Sequence, residues 1–153
     1  MLDQIFRKRQ GAPLYRLITP CPADTLGPWA TAFPDYDEVV GYSSLGHFFL
    51  RAAATQEYIV LYPLRGAAKS YGDYDTLEAF EAEVLKDPDF AAYVLRPEHV
   101  DEIAARLGAL GDDEVYIPEP YPFLGGSDAP ETYHKGDVWV FAQVVAHMGG
   151  LGE

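Results

Sequence analysis

Cysteine occurs once in these 153 residues, at Cys21. A single thiol excludes an internal disulfide and fits a chain that folds in a reducing compartment. Long hydrophobic runs are missing too, and none approaches the ~20 apolar residues of a membrane-crossing helix. The opening "MLDQIFRKRQ" carries charge with no hydrophobic stretch behind it, so no signal peptide and a cytoplasmic location are expected. Histidine is sparse: His47, His99, His134 and His147 stand apart, and no HxH, HExxH or CxxC spacing exists. Neither a metal site nor any other cofactor is therefore expected. Asp112, Asp113 and Glu114 lack the surrounding pattern of an EF-hand. Gly125-Gly126 is followed by Asp128 and Glu131, which would repel a phosphate.

Positive charge is the other shortage. Eleven Lys and Arg face twenty-four Asp and Glu, for a net charge of −13. The imbalance is local: residues 73–131 hold sixteen acids against three bases, while residues 1–72 hold six against seven. Such a field repels nucleic acid and anionic membranes and attracts basic proteins. Charge kept for solubility alone is the plainer reading of the same composition. Hydrophobic residues at 48% and aromatics at 14% exclude a disordered chain, and the length suits one compact domain over residues 1–153.

What the chain does have is an ordered change of period. "APLYRLI" reads as extended, and residues 23–33 as a short helix with Leu26, Trp29 and Ala30 on one face. "YDEVVGYS", "GHFFLRA" and "EYIVLYPL" are strand-like, "AAKSYGDY" adds another candidate, and short connections favour an antiparallel meander. From Asp75 the period becomes helical. "DTLE" reads as a capping box with Asp75 as N-cap, and Leu77, Phe80 and Val84 form an inward stripe. Phe90, Tyr93 and Val94 mark a second short helix, and Val100, Ile103 and Leu107 a third that stops at Gly108. Residues 109–135 read as loop with one short strand at 114–117. "VWVFAQVVAHM", capped by Asp137, suits a helix better than a strand, and its apolar surround predicts a central position. The class is α+β: an antiparallel sheet from the N-terminal half packed against helices mainly from the C-terminal half.

Catalytic signatures are weak. Cys21, between two prolines, would need a cation or helix N-terminus to become a nucleophile, and a distant histidine to form a dyad. His47 reads as a strand residue. A small-molecule enzyme using Cys21 or His47 remains an alternative to a non-catalytic binding module. The most distinctive stretch is "LGDDEVYIPEPYPFLGG", where aromatics and acids share a proline-stiffened loop. Aromatic anchors beside charge suit a protein interface, and Asp112, Asp113, Glu114, Tyr116, Glu119 and Tyr121 are the candidate partner-binding residues.

"LGALGDDEVYIPEPYPFLGGS", followed by an apolar terminal helix with a late histidine, resembles the C-terminal region of type VI secretion immunity proteins that neutralise DNase effectors. In that family a G-x-L-x-x-D-E-x-Y-G-F-x-P segment leading to L-G-G precedes an H-x-x-x-L-x-Q helix. The upstream "CPADTLGPWATAF", "GYSSLGHFFLR" and "EYIVLYPLRG" are similar to the GAD-like region often joined to it, which would divide the chain into 1–72 and 73–153. The chain departs from the pattern at "YIPEPYPF", in the reversed order of Gln143 and His147, and in its shorter length. The resemblance implies an intracellular antitoxin without chemistry of its own, whose partner is a cognate, basic nuclease toxin.

Overall fold

In the computed structural model, residues 11–151 are described; the N-terminal "MLDQIFRKRQ" on which the signal-peptide expectation rests lies outside them. Five strands form an antiparallel meander in chain order: β1 (Tyr15–Pro22), β2 (Glu38–Ser43), β3 (Phe48–Ala52), β4 (Glu57–Tyr62) and β5 (Ala67–Asp73). The register is regular from β3 to β4, pairing Phe48 with Leu61 and Leu50 with Ile59. β5 is an edge strand.

The near-continuous apolar runs of the middle strands have a physical cause: both sheet faces are covered. Successive side chains of a strand point to opposite faces. Phe48, Leu50, Ile59 and Leu61 enter one core, and Phe49, Tyr58 and Val60 enter the other. The first core is closed by a 3-10 turn (Ala23–Leu26), by α1 (Pro28–Ala32) and by the C-terminal helix. The second is closed by α2 (Leu77–Phe80), α3 (Pro88–Phe90) and the turns that extend them. Three layers result, helix on sheet on helix, which is the expected α+β class.

Each helix of the second layer widens into a π turn, Glu81–Leu85 after α2 and Ala91–Leu95 after α3. Lys86 N–H donates to Glu81 O at 2.9 Å and Arg96 N–H to Ala91 O at 2.7 Å, each spanning five residues. Such a turn shifts the phase of the inward stripe. Val84 and Leu85 are consequently both buried, and Phe90 and Leu95, five apart, face the sheet. Tyr93, expected inward on a 3.6-residue period, is instead 81% exposed. The N-cap of α2 is Thr76 rather than Asp75, its Oγ1 accepting from Ala79 N–H at 3.0 Å. The helix expected at 23–33 is split at Gly27-Pro28 into the 3-10 turn and α1.

The third helix runs as expected, α4 (Pro97–Leu107), with Val100 and Ile103 buried against a second, two-stranded sheet. That sheet pairs β6 (Glu114–Pro118) with β7 (Tyr133–Asp137). β7 falls in a stretch read as loop. The last element is the expected helix, α5 (Val138–Met148), with Asp137 Oδ1 accepting from the N–H groups of Trp139 and Val140. It is not central, however. Phe141, Ala142 and Val145 are buried, while Val140, Val144 and Met148 are 60%, 40% and 49% exposed. The apolar surround is thus shared between a core face and an uncovered outer stripe.

Candidate partner-binding surface

The acidic turn sits where the two sheets meet. Tyr116 N–H donates to Ser44 O at 2.8 Å, which ties β6 to the turn between β2 and β3. Asp113, at φ +63°, is held on three sides: its N–H donates to Tyr42 Oη, its carbonyl accepts from Val138 N–H, and its Oδ1 accepts from Trp139 Nε1 at 3.0 Å. Glu114 Oε1 accepts from Gly111 N–H at 2.6 Å, closing the turn on itself. Both acids therefore spend carboxylate oxygens on the loop and on the start of α5. Asp112 points outward, with its side chain 90% exposed, and pairs with Arg16.

The other candidates divide in the same way. Tyr116 is 1% exposed, packs beside Val100 and Ile103, and donates its hydroxyl to Gly108 O at 2.6 Å. Its ring is part of the core, which removes it from any surface a partner touches. Glu119 is exposed. Tyr121 is half-buried, stacked on Phe123 at 5.5 Å between ring centroids and edge-on to Phe141. The structure thus leaves Asp112, Asp113, Glu119 and the outer part of Tyr121 accessible, with Asp113 also tied to the start of α5, and makes half-buried Glu114 and buried Tyr116 the supports beneath them. A small pocket of about 90 Å3 lies behind the turn, lined among others by Tyr42, Glu114 and Tyr116.

Two glycines shape the loop beyond Tyr121 for different reasons. Gly125 has φ +91°, a conformation that side-chain-bearing residues rarely adopt. At Gly126 an added Cβ would stand 1.9 Å from Pro120 O, so the backbone itself fills that space.

Three ion pairs join described residues: Arg16–Asp112, Arg51–Glu38 and Arg96–Asp128. Many acids of residues 73–131 remain solvent-facing, including Glu78 and Glu83 on the second helical layer and Glu98 and Glu102 on α4.

Cys21 and His47 do not come together. Cys21 lies opposite Val39 at one end of β2, whereas His47 follows the turn at its other end. Four residues of strand, about 13 Å, separate those ends. Among the described residues no group of three or more His, Cys, Asp or Glu is placed to hold a metal ion. No helix among them is long and apolar enough to cross a membrane.

A larger feature escaped the sequence reading. A cleft of about 960 Å3 runs between the β4–β5 hairpin and the layer formed by residues 87–96 and 118–133. His47 opens onto it, as do Arg65, Lys69 and Arg96. The available signal was "YPLRGAAKSY", where two bases alternate with tyrosines in an otherwise acid-rich chain.

With a five-stranded sheet covered on both faces and a two-stranded sheet packed against α4, the fold defines a class of small α+β proteins. The crystal structure of Atu4351 from Agrobacterium tumefaciens has the same fold: TM-score 0.60 at 16% identity, over 95% of this chain and 73% of that one. No curated protein matches the sequence. Residues 75–149 match the family model described as "T6SS immunity protein Tdi1, C-terminal". This match supports an immunity-protein role.

Proposed function

We propose that the protein is the antitoxin of a type VI secreted nuclease, binding its cognate toxin in the cytoplasm and blocking it without chemistry of its own. One coincidence carries this reading. The segment matched by the immunity family, residues 75–149, is also the one that holds the charge, with sixteen acids against four bases. A nuclease needs positive potential to hold a polyanion, and an acidic protein seated on that surface competes for it directly.

Asp112, Glu119 and Tyr121 make the contact in this proposal, joined by exposed acids of α4, while Asp113, Glu114 and Tyr116 hold the turn in shape. The two halves of the chain act as one unit. Trp29 Nε1–H donating to Ala142 O at 2.8 Å, across 113 positions of sequence, supports that view.

Co-expression with the product of the neighbouring gene tests the proposal. The protein should rescue cells from that product and co-purify with it. A variant carrying Asp112→Lys, Glu119→Lys and Glu102→Lys, confirmed as folded by circular dichroism, should lose both rescue and complex. A neighbour that never forms a complex, or a triple variant that protects fully, defeats the reading.

A further inference from the structure

The 960 Å3 cleft is charge-balanced in an otherwise acidic chain, with Arg65, Lys69 and Arg96 lining it against Asp87, Asp89 and Asp128. Acids outnumber bases by more than two to one in the sequence, yet Arg65 and Lys69 both reach this cleft without a carboxylate partner among the described residues. Each is held over a tyrosine ring instead, Arg65 Cζ at 5.6 Å from the centre of Tyr62 and Lys69 Nζ at 5.1 Å from that of Tyr71. A ring face holds a cation but leaves its hydrogen-bond donors free. Arg96 adds a third charge, spending one nitrogen on Asp128 at 3.0 Å.

His47 supplies a directed donor at the same place. Ser43 Oγ accepts from the backbone N–H groups of Leu45 and His47, at 3.2 and 3.0 Å. Its single hydrogen is then left for His47 Nδ1, 2.7 Å away. Nδ1 must be the acceptor, so the proton of the neutral ring sits on Nε2. Nε2 has no partner among the described residues, and no side-chain nitrogen or oxygen among them is both buried and unsatisfied, so this N–H opens onto the cleft. Burial, with the charges of Arg65 and Arg96, lowers the His47 pKa to about 4, keeping the ring neutral and the tautomer fixed at neutral pH.

Tyr62, Tyr71, Phe90 and Phe141 line the walls between these groups. The volume lies within the ~300–1,000 Å3 range of small-molecule sites. Asp87 and Asp89 stand on the helical wall, Asp87 already accepting from Phe90 N–H. They leave the hairpin wall as the side suited to an anion.

We propose that the cleft binds a small organic acid with an aromatic or apolar body, its carboxylate held by His47 Nε2–H and the Arg65 guanidinium with Lys69 alongside, and its body lying on Tyr62, Tyr71 and Phe90. This site is separate from the acidic turn, and its occupancy does not depend on the antitoxin reading.

Phenylacetate is the probe, followed through the His47 ring signals in nitrogen–proton NMR spectra of the full chain. The expected result is a saturable shift of Nε2 with Nδ1 remaining unprotonated. Arg65→Glu, an exposed position, should weaken the response about tenfold or more, as loss of a charge-assisted pair does. Lys86→Glu, outside the cleft, should leave it unchanged. Phenethylamine, the same ring carrying a positive charge, should not bind. A flat titration, an equal response to phenethylamine, or an Arg65→Glu protein that binds as well as the parent overturns the proposal. Binding of the capped peptide acetyl-Asp-Phe-amide in place of phenylacetate also overturns it, since it would assign the cleft to a polypeptide carboxylate.

Discussion

Single residues here draw their properties from neighbours rather than from type, and His47 is the clearest instance. Its sequence context is that of an ordinary strand residue, and nothing in "LGHFF" announces a fixed tautomer. The tautomer follows from a serine four positions earlier that already accepts two backbone N–H groups. Protonating Nδ1 would leave the Ser43 hydrogen and the new proton facing each other. The ring is therefore stable only as the neutral form, and its pKa of about 4 lies below the ordinary value of 6.5. The sign of the linkage follows. In the unfolded chain His47 takes up its proton near pH 6.5 and in the folded chain only near pH 4. Its stabilising contribution is complete above 6.5 and is lost as pH falls towards 4. Between pH 7 and pH 5 the loss is about 2 kcal/mol. Urea titrations of the parent and of His47→Gln at both pH values check this: the parent should lose that much more than the variant. Equal losses would mean that the ring is free to protonate in place.

Elements were legible where local chemistry and tertiary context agreed. The three apolar strands β2, β3 and β4 announced themselves by β-branched and aromatic runs and α4 by its helical period, and Asp137 with "VWVF" marked the start of α5. β7 was not legible because "YHKGD" has no apolar alternation. Only Tyr133 of it is buried, and pairing with β6 creates the strand. The outward turn of Tyr93 was hidden for another reason, since a π turn cannot be read from a 3.6-residue pattern. The candidate surface was legible in part. Acids and aromatics of residues 110–126 stand together in the sequence, but only tertiary contacts distinguish Asp113, tied to Trp139, from Asp112, or buried Tyr116 from half-buried Tyr121. Of the glycine pair in that loop, only Gly125 serves backbone freedom. Gly126 is required by proximity, and Gly126→Ala should cost about 1–3 kcal/mol through forced displacement of residues 120–121. Thermal denaturation would show a lower midpoint for Gly126→Ala, and amide shifts should change mainly over residues 119–126. An unchanged midpoint would show that the loop has room the packing does not reveal.

At the scale of the molecule, the electrostatic argument and the packing argument are independent. Three layers are held by two apolar cores, and the carboxylates contribute little to either. The exposed acids of α4 and of the second helical layer are then available for a long-range role, which is attraction rather than grip. Steering of this kind appears in the association rate and fades as salt shortens the Debye length from about 14 Å near 0.05 M to about 4 Å near 0.5 M. If an acidic face guides the protein onto a basic nuclease, that increase in salt should slow association about tenfold or more. Dissociation, governed by contacts such as Tyr121, should change far less. Glu98→Lys with Glu102→Lys should reproduce the slower association at low salt without loss of fold, because both side chains are exposed on α4. Stopped-flow measurements on the purified pair distinguish the outcomes. An association rate indifferent to salt and to these substitutions would leave the charge as a solvated surface, with the apolar stripe of Val140, Val144 and Met148 as the face to test next.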